Sequence, residues 1–318
     1  MTPKVLWTKI KKYKSFLIAS HYNPDADAAA SSLALGLVLK ALGKKTTVVN
    51  EDHLSPWLEF LPQAQHFYKR SGLKQPVFEA VIILDCGELE RIGGVRRWLD
   101  GQPIINIDHH VTNNLFGDMN LVYPKSSSTC EILFDLFKCA KVKMTKQVAM
   151  LLYAGMMTDT GSFRFENTSA KTHTIAAQLL SFGLSAPNLY QRLYPGIPSV
   201  DIKKFVEVIH SAQLLLKNKV YCVLLPKKTM DSFSKKFDLK EKIFGLLRMV
   251  EGIEVVAIFS EPNPSQTRIN LRSQSYFDVA RLAAQFNGGG HEKAAGAKVK
   301  MGLEGAKKKV IAAIRKSL

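Results

Sequence analysis

The stretch Pro103–His110, PIINIDHH, decides how this chain is read. Ile104–Ile107 is short and rich in β-branched residues, as a buried strand would be, yet it runs straight into Asp108, His109 and His110. Burying or half-burying an acid and two imidazoles is costly unless they are paired or bound to something. The partner has to come from elsewhere in the chain.

Working outward, three more runs have the same character: Phe16–Ser20 (FLIAS), Thr47–Asn50 (TVVN) and Ala80–Asp85 (AVIILD). Between and after them lie helical patterns at Ala26–Gly43, closed by glycine, and at Lys146–Thr158, while Ser128-x-x-Glu131 reads as a capping box opening another helix. Such β–α alternation predicts an α/β fold with a parallel sheet and helices on both of its faces. The character changes after Gly183. A turn-rich SAPNLYQRLYPGIPS precedes DIKKFVEVIHSAQLLLK, which reads as a connecting helix. VYCVLLP, EVVAIFS and TRINLRS then read as strands, with helices over Phe277–Phe286 and Gly305–Lys316, a smaller α/β domain. The expected division is a first domain over 1–192, a linker helix over 193–217 and a second domain over 218–318, as suits a length beyond the ~250–300 residues at which single cores stop growing.

The strands of the first half share what they end on. FLIAS runs into His21, with Asp25 and Asp27 following in HYNPDADA; AVIIL ends at Asp85, and PIINI at Asp108, His109 and His110. Ligands of open parallel sheets bind outside the carboxyl ends of the strands, so these groups should meet in one crevice. Asp159, in TDTGSF, follows a helical run beside a glycine turn. Each residue alone has a bland explanation as a helix-terminal acid, a turn residue or a solvated histidine. Together they would repel one another without cations. Carboxylates with imidazole and no thiolate suit manganese, and less readily magnesium or cobalt. More than five candidate ligands exceed the need of one catalytic ion with an open position, which points to two ions and to in-line hydrolysis of a phosphate ester.

In the second half, FNGGGHEKAAGA carries Gly288, Gly289 and Gly290, whose backbone N–H groups could approach a phosphate closely, with His291 as a further donor. Arg272 and Ser273 end the strand TRINLRS, and strand alternation puts Arg268 on the face of Arg272, where guanidinium groups suit phosphate.

Composition agrees with a polyanionic partner. Lys and Arg number 44 against 27 Asp and Glu, a net charge of +17. The charged N-terminal MTPKVLWTKIKKYK does not read as a secretory signal, and no apolar run reaches the ~18–20 residues of a membrane span, so a cytoplasmic protein without membrane contact is expected. Cys86, Cys130, Cys139 and Cys222 show no metal spacing and are expected as reduced thiols.

HYNPDADA, the strand ending at Asp85, Asp108-His109-His110, TDTGSF and GGGHEKAAG occur in the order and spacing of the DHH phosphoesterase superfamily. Over essentially its whole length the chain resembles the branch of bacterial oligoribonucleases (nanoRNases) and phosphoadenosine-phosphate phosphatases, a DHH domain followed by a DHH-associated domain with the active-site cleft between them. The resemblance implies that His21, Asp25 and Asp85 hold one manganese ion and that Asp27, Asp85, His109 and Asp159 hold the other, with a hydroxide bridging the pair as nucleophile. It makes His110 and Asp108 the catalytic pair: His110 would meet the substrate phosphate or leaving group, and Asp108 would orient the histidines. Arg268, Arg272, Ser273, Gly288–Gly290 and His291 would grip the terminal nucleotide. Gln274, where relatives often carry a basic residue, departs from the pattern. The implied activity is release of 5′-mononucleotides from short RNA oligonucleotides, with removal of a phosphate from adenosine 3′,5′-bisphosphate. Alternatives are hydrolysis of linear or cyclic dinucleotides and a non-catalytic nucleotide-binding module; the oligomeric state is left open, a homodimer included.

Overall fold

A computed structural model of the chain describes residues 1–234, 237–263 and 265–318, and of His291 the backbone alone. The described residues fall into two compact units, Met1–Pro195 and Gly196–Leu318.

In the first unit, α1 (Pro3–Ile10) leads into β1 (Ser15–Ser20), α2 (Ala26–Ala41) and β2 (Lys45–Asn50). β3 (Phe67–Lys69), β4 (Ala80–Leu84), β5 (Ile104–Asp108) and β6 (Met119–Val122) follow, and then α3 (Thr129–Cys139), α4 (Lys146–Asp159), α5 (Ala170–Leu180) and α6 (Ala186–Leu193). The six strands lie in the order β3-β2-β1-β4-β5-β6 and every pairing is parallel. β4 is buried along its whole length, because a parallel strand covered on both faces has no solvent side; hence its unbroken AVIIL. The faces are covered unequally. Phe16, Ile18, Ile82 and Ile107 pack under the long helices, whereas Leu17, Ala19, Val81 and Ile83 meet a 3₁₀ segment, Leu89–Trp98, through Ile92, Val95 and Trp98. The strand order reverses between β1 and β4, and this switch point opens the crevice into which their carboxyl ends deliver residues.

α2 consists mostly of small residues, and Ala28–Ala30, Ser31 and Ser32 are fully buried, which lets it lie close to its neighbours. Gly155 does the same for α4: a Cβ there would stand 2.4 Å from Cys130 Sγ and 2.5 Å from Asp27 Oδ1. The expected capping box forms only in part. The Ser128 hydroxyl accepts the N–H of Glu131, but the Glu131 carboxylate accepts from the Ser127 and Thr172 hydroxyls instead of returning to the Ser128 backbone.

The second unit runs through α7 (Ile202–His210), β7 (Gln213–Leu215), β8 (Val220–Leu225), α8 (Lys227–Asp231), α9 (Leu239–Leu247), β9 (Val255–Asn263) and β10 (Gln266–Ser273). It closes with α10 (Val279–Ala284), β11 (Gly289–His291), β12 (Ala294–Val299) and α11 (Leu303–Ser317). Its sheet has the order β11-β12-β10-β9-β8-β7, antiparallel except for the β8–β9 pair. The single connecting helix expected through AQLLLK is corrected here: the chain turns at Ser211, and Gln213–Leu215 pairs with β8 as an edge strand. The apolar face of α7 belongs to the core of this unit, where Phe205 and Val208 pack with Val223, Leu225 and Phe237. Among the described residues no helix is long and apolar enough to cross a membrane.

Candidate functional site

The crevice of the first unit collects every acid and imidazole that the sequence placed at strand ends. His21 leaves β1, Asp25 caps α2 by accepting the Ala28 N–H, and Asp27 lies in the first turn of that helix. Asp85 follows β4 with φ of 53°, a left-handed conformation that non-glycine residues seldom adopt and that tends to mark functional sites. Asp159 is the last residue of α4, and the Asn167 side chain holds its backbone carbonyl at 3.1 Å.

The distances divide the cluster around Asp85. His21 Nε2 stands 3.8 Å from Asp25 Oδ2 and 3.7 Å from Asp85 Oδ2. His109 Nε2 stands 3.5 Å from Asp85 Oδ1 and 3.4 Å from Asp159 Oδ2. The two oxygens of Asp85 thus face different imidazoles. Each group, His21 with Asp25 and Asp85, and Asp27 with His109 and Asp159, brings one donor atom per residue within 4.8 Å of the others, close enough to hold a metal ion; Asp85, His109 and His110 form a third such group.

The histidine rings are oriented for that task. His21 Nδ1 lies 2.9 Å from the Tyr22 carbonyl and His109 Nδ1 lies 3.3 Å from the Ser126 carbonyl. A carbonyl only accepts, so Nδ1 carries the proton and Nε2 is the nitrogen aimed at the carboxylates. Separations of 3.4–3.8 Å exceed a hydrogen bond but leave room for a cation between nitrogen and oxygen. The donor set therefore fits divalent metal.

Electrostatics points the same way. Burial penalises the charge on Asp27, and Asp85 and Asp159 add to the penalty, holding its carboxyl well above the usual range. Burial, opposed by His109 and reinforced by Asp85, pushes Asp159 up to about 7. Burial would likewise raise Asp85, but His109 and His21 reverse the effect and hold it well below the ordinary value. For His21 burial would depress the pKa, and Asp25 and Asp85 outweigh it and raise the ring to about 10. Asp27 and Asp159 are pushed up by burial and neighbouring acids while carboxylates hold His21 charged, the crowding of ionisable groups that functional sites show.

Asp108 and His110 form a tighter pair, Oδ1 to Nδ1 at 2.6 Å, with Asp108 Oδ2 accepting from Asn113 Nδ2 at 2.6 Å, and the same Nδ1 stands 3.7 Å from Asp85 Oδ1. The expectation that Asp108 orients both histidines is corrected: it meets His110, while His109 is set by Ser126. Sequence reasoning missed Asn113 and Asn167, which serve Asp108 and Asp159 from nearby loops, and Ser126 and Thr129, whose roles arise through contacts distant in the chain; the Thr129 hydroxyl donates to Asp85 at 3.0 Å.

In the second unit, burial alternates along β10, and Arg268, Asn270 and Arg272 are the half-exposed residues. Their partners on β12 are Lys298, Gly296 and Ala294, and Gly289 of β11 pairs with Gly296, so a basic sheet face carries small residues at its middle. Arg272 pairs with Glu241 at 2.7 Å and lies 4.7 Å over the Phe244 ring. Ser273 is fully enclosed and donates its hydroxyl to Glu254, so it does not stand beside Arg272 as a phosphate contact. The glycines divide by role. A Cβ on Gly288 would lie 2.2 Å from the Gly296 carbonyl and one on Gly290 2.4 Å from that of Ala294, so both permit close strand approach. Around Gly289 there is open space. The side chain of His291 lies outside the described residues.

Residues 15–156 match the DHH family N-terminal domain, and residues 237–318 match the DHHA1 domain. The bifunctional oligoribonuclease and PAP phosphatase NrnA of Thermus thermophilus is 33% identical over 95% of this chain and 89% of its own. The chain belongs to the DHH family. The Bacillus subtilis protein of the same name is 29% identical over 91% of each chain. Among solved structures, an exopolyphosphatase-related protein from Bacteroides fragilis superposes with a TM-score of 0.90 at 25% identity, covering 99% of this chain and 96% of that one.

Proposed function

We propose that this DHH-family chain is a metal-dependent phosphoesterase that releases 5′-mononucleotides from short RNA oligonucleotides and removes a phosphate from adenosine 3′,5′-bisphosphate. The observation that carries the reading is the Asp85 carboxylate, split between His21 on one oxygen and His109 on the other. On this reading His21, Asp25 and Asp85 hold one cation, Asp27, Asp85, His109 and Asp159 hold a second, and the oxygen–nitrogen donor set favours manganese. Bound there, such ions acidify water and neutralise charge on phosphoryl oxygens.

The chain's own residues do the rest. His110, its ring fixed through Nδ1 by Asp108, meets the substrate phosphate or the leaving oxygen. On the second unit, Arg268, Arg272 and the exposed backbone at Gly289 bind the phosphate and sugar of the terminal nucleotide. Curated relatives covering nearly the whole chain, named as oligoribonuclease and PAP phosphatase, support this substrate class.

The test is side-by-side turnover, with manganese, of a di- to pentanucleotide RNA series, a cyclic dinucleotide and adenosine 3′,5′-bisphosphate. The short RNAs and the bisphosphate should be consumed. Turnover of the cyclic dinucleotide alone would replace the substrate assignment, and turnover of none would remove the enzymatic reading.

A further inference from the structure

The segment Ser126–Cys130, SSSTC, borders the crevice at several points. Its Ser126 carbonyl faces His109, and its Ser127 carbonyl accepts from Asn167, which also holds the carbonyl of Asp159. The N–H groups of Thr129 and Cys130, in the first turn of α3, go to the two oxygens of Asp27 at 2.7 and 3.1 Å. A helix N-terminus presents unpaired N–H groups and partial positive charge, so it steadies a buried carboxylate that its acidic neighbours destabilise.

Thr129 contributes twice, since its hydroxyl also donates to Asp85 Oδ1 at 3.0 Å while it is itself fully buried. This is the oxygen that faces His109, and the other faces His21. A carboxylate rotates easily about its last bond, and a bond to one oxygen fixes which oxygen looks to which side. We infer that Thr129 is the positioning residue that sets the Asp85 carboxylate to be shared between two cations, one oxygen to each. The inference rests on the two-cation reading proposed above. Among the described residues Asp85 is the one acceptor of the Thr129 hydroxyl.

The test uses manganese chloride itself as probe on the full chain freed of metal. Wild type, Thr129→Val and Thr129→Ser are titrated calorimetrically, with low-temperature electron paramagnetic resonance on the loaded samples and melting curves on the metal-free ones. Thr129→Val keeps the shape and loses the hydroxyl. It should lower the metal-free melting temperature by no more than a few degrees, for one buried hydrogen bond lost, bind manganese about 10- to 100-fold more weakly and lose the signal of two exchange-coupled ions. Thr129→Ser should restore both affinity and coupled signal. Wild type binding two ions with Thr129→Val matching it in affinity and coupling would overturn the role of Thr129 and leave the two-cation reading standing. Wild type binding a single ion would overturn that reading, and the shared carboxylate with it. If Thr129→Val does not fold, Thr129→Ala removes the same hydroxyl without crowding; unfolding of both beside a stable Thr129→Ser would make the hydroxyl structural and overturn the positioning role.

Discussion

Two buried carboxylates, one in each unit, make opposite use of burial. Glu254 is nearly enclosed, and its two oxygens accept from the Ser273 and Ser275 hydroxyls and from the backbone N–H groups of Ser275, Tyr276 and Phe277. Burial would raise its pKa, but these donors, the Ser275 hydroxyl first, bring it below the ordinary value. Asp85 is as deeply buried, yet among the described residues Thr129 is its one hydrogen-bond donor, and what favours its charge against burial is His109 and His21, whose nitrogens stand 3.5 and 3.7 Å away. A buried carboxylate satisfied by hydrogen bonds from its own chain holds the fold together; one flanked by imidazoles that stop short of hydrogen-bond distance keeps its oxygens available to a ligand.

The comparison can be broken most forcefully at Asp85. Asp85→Asn should lower manganese-dependent hydrolysis of a dinucleotide by more than the roughly 100-fold that loss of an outer partner costs, because the shared ligand itself goes. Retained turnover would separate Asp85 from the chemistry. Glu254→Ala should destabilise the second unit in urea unfolding by about 3 kcal/mol or more, at 1–3 kcal/mol for each buried donor left unpaired. The pH dependence has a definite sign. A depressed folded pKa contributes stability above the ordinary value of 4.5 that is lost as pH falls through the folded pKa, so wild type should lose more stability on acidification than Glu254→Ala does.

A subtler contrast comes from removing a charge that burial and its neighbours oppose. Asp159→Asn should abolish activity yet raise the metal-free melting temperature at neutral pH by a few degrees, at about 2–4 °C for each kcal/mol. A lower melting temperature would mean that the acids of the crevice are not in conflict. The smallest effect is expected at Gly289→Ala, where nothing lies within 4 Å. Melting should be unchanged while the Michaelis constant for phosphate-terminated substrates rises about tenfold, one lost contact of ~1.4 kcal/mol. An unchanged constant would remove Gly289 from the phosphate grip.

Much of this was legible in the sequence because burial writes itself into composition. AVIIL is a continuous apolar run, and IINI is one but for the buried Asn106, since both faces of their strands are covered, and the acids that follow stand out against them. What stayed hidden depends on partners far along the chain. Thr129 reaches Asp85 across 44 positions and Asp27 across 102, so SSSTC showed only its capping role. Three-residue edge strands such as β7 and β11 are too short to display a period, which is why QLL reads as part of a helix and GGH shows no strand signal. Ser273 looked like a companion to Arg272, but consecutive strand residues point to opposite faces, and the buried face led it to Glu254.

The most direct test of the shared carboxylate is anomalous diffraction at the manganese edge from crystals of the metal-loaded protein. The account predicts two ions ~3.5–4 Å apart with one oxygen of Asp85 on each. A single ion, or two ions that do not share Asp85, would contradict it.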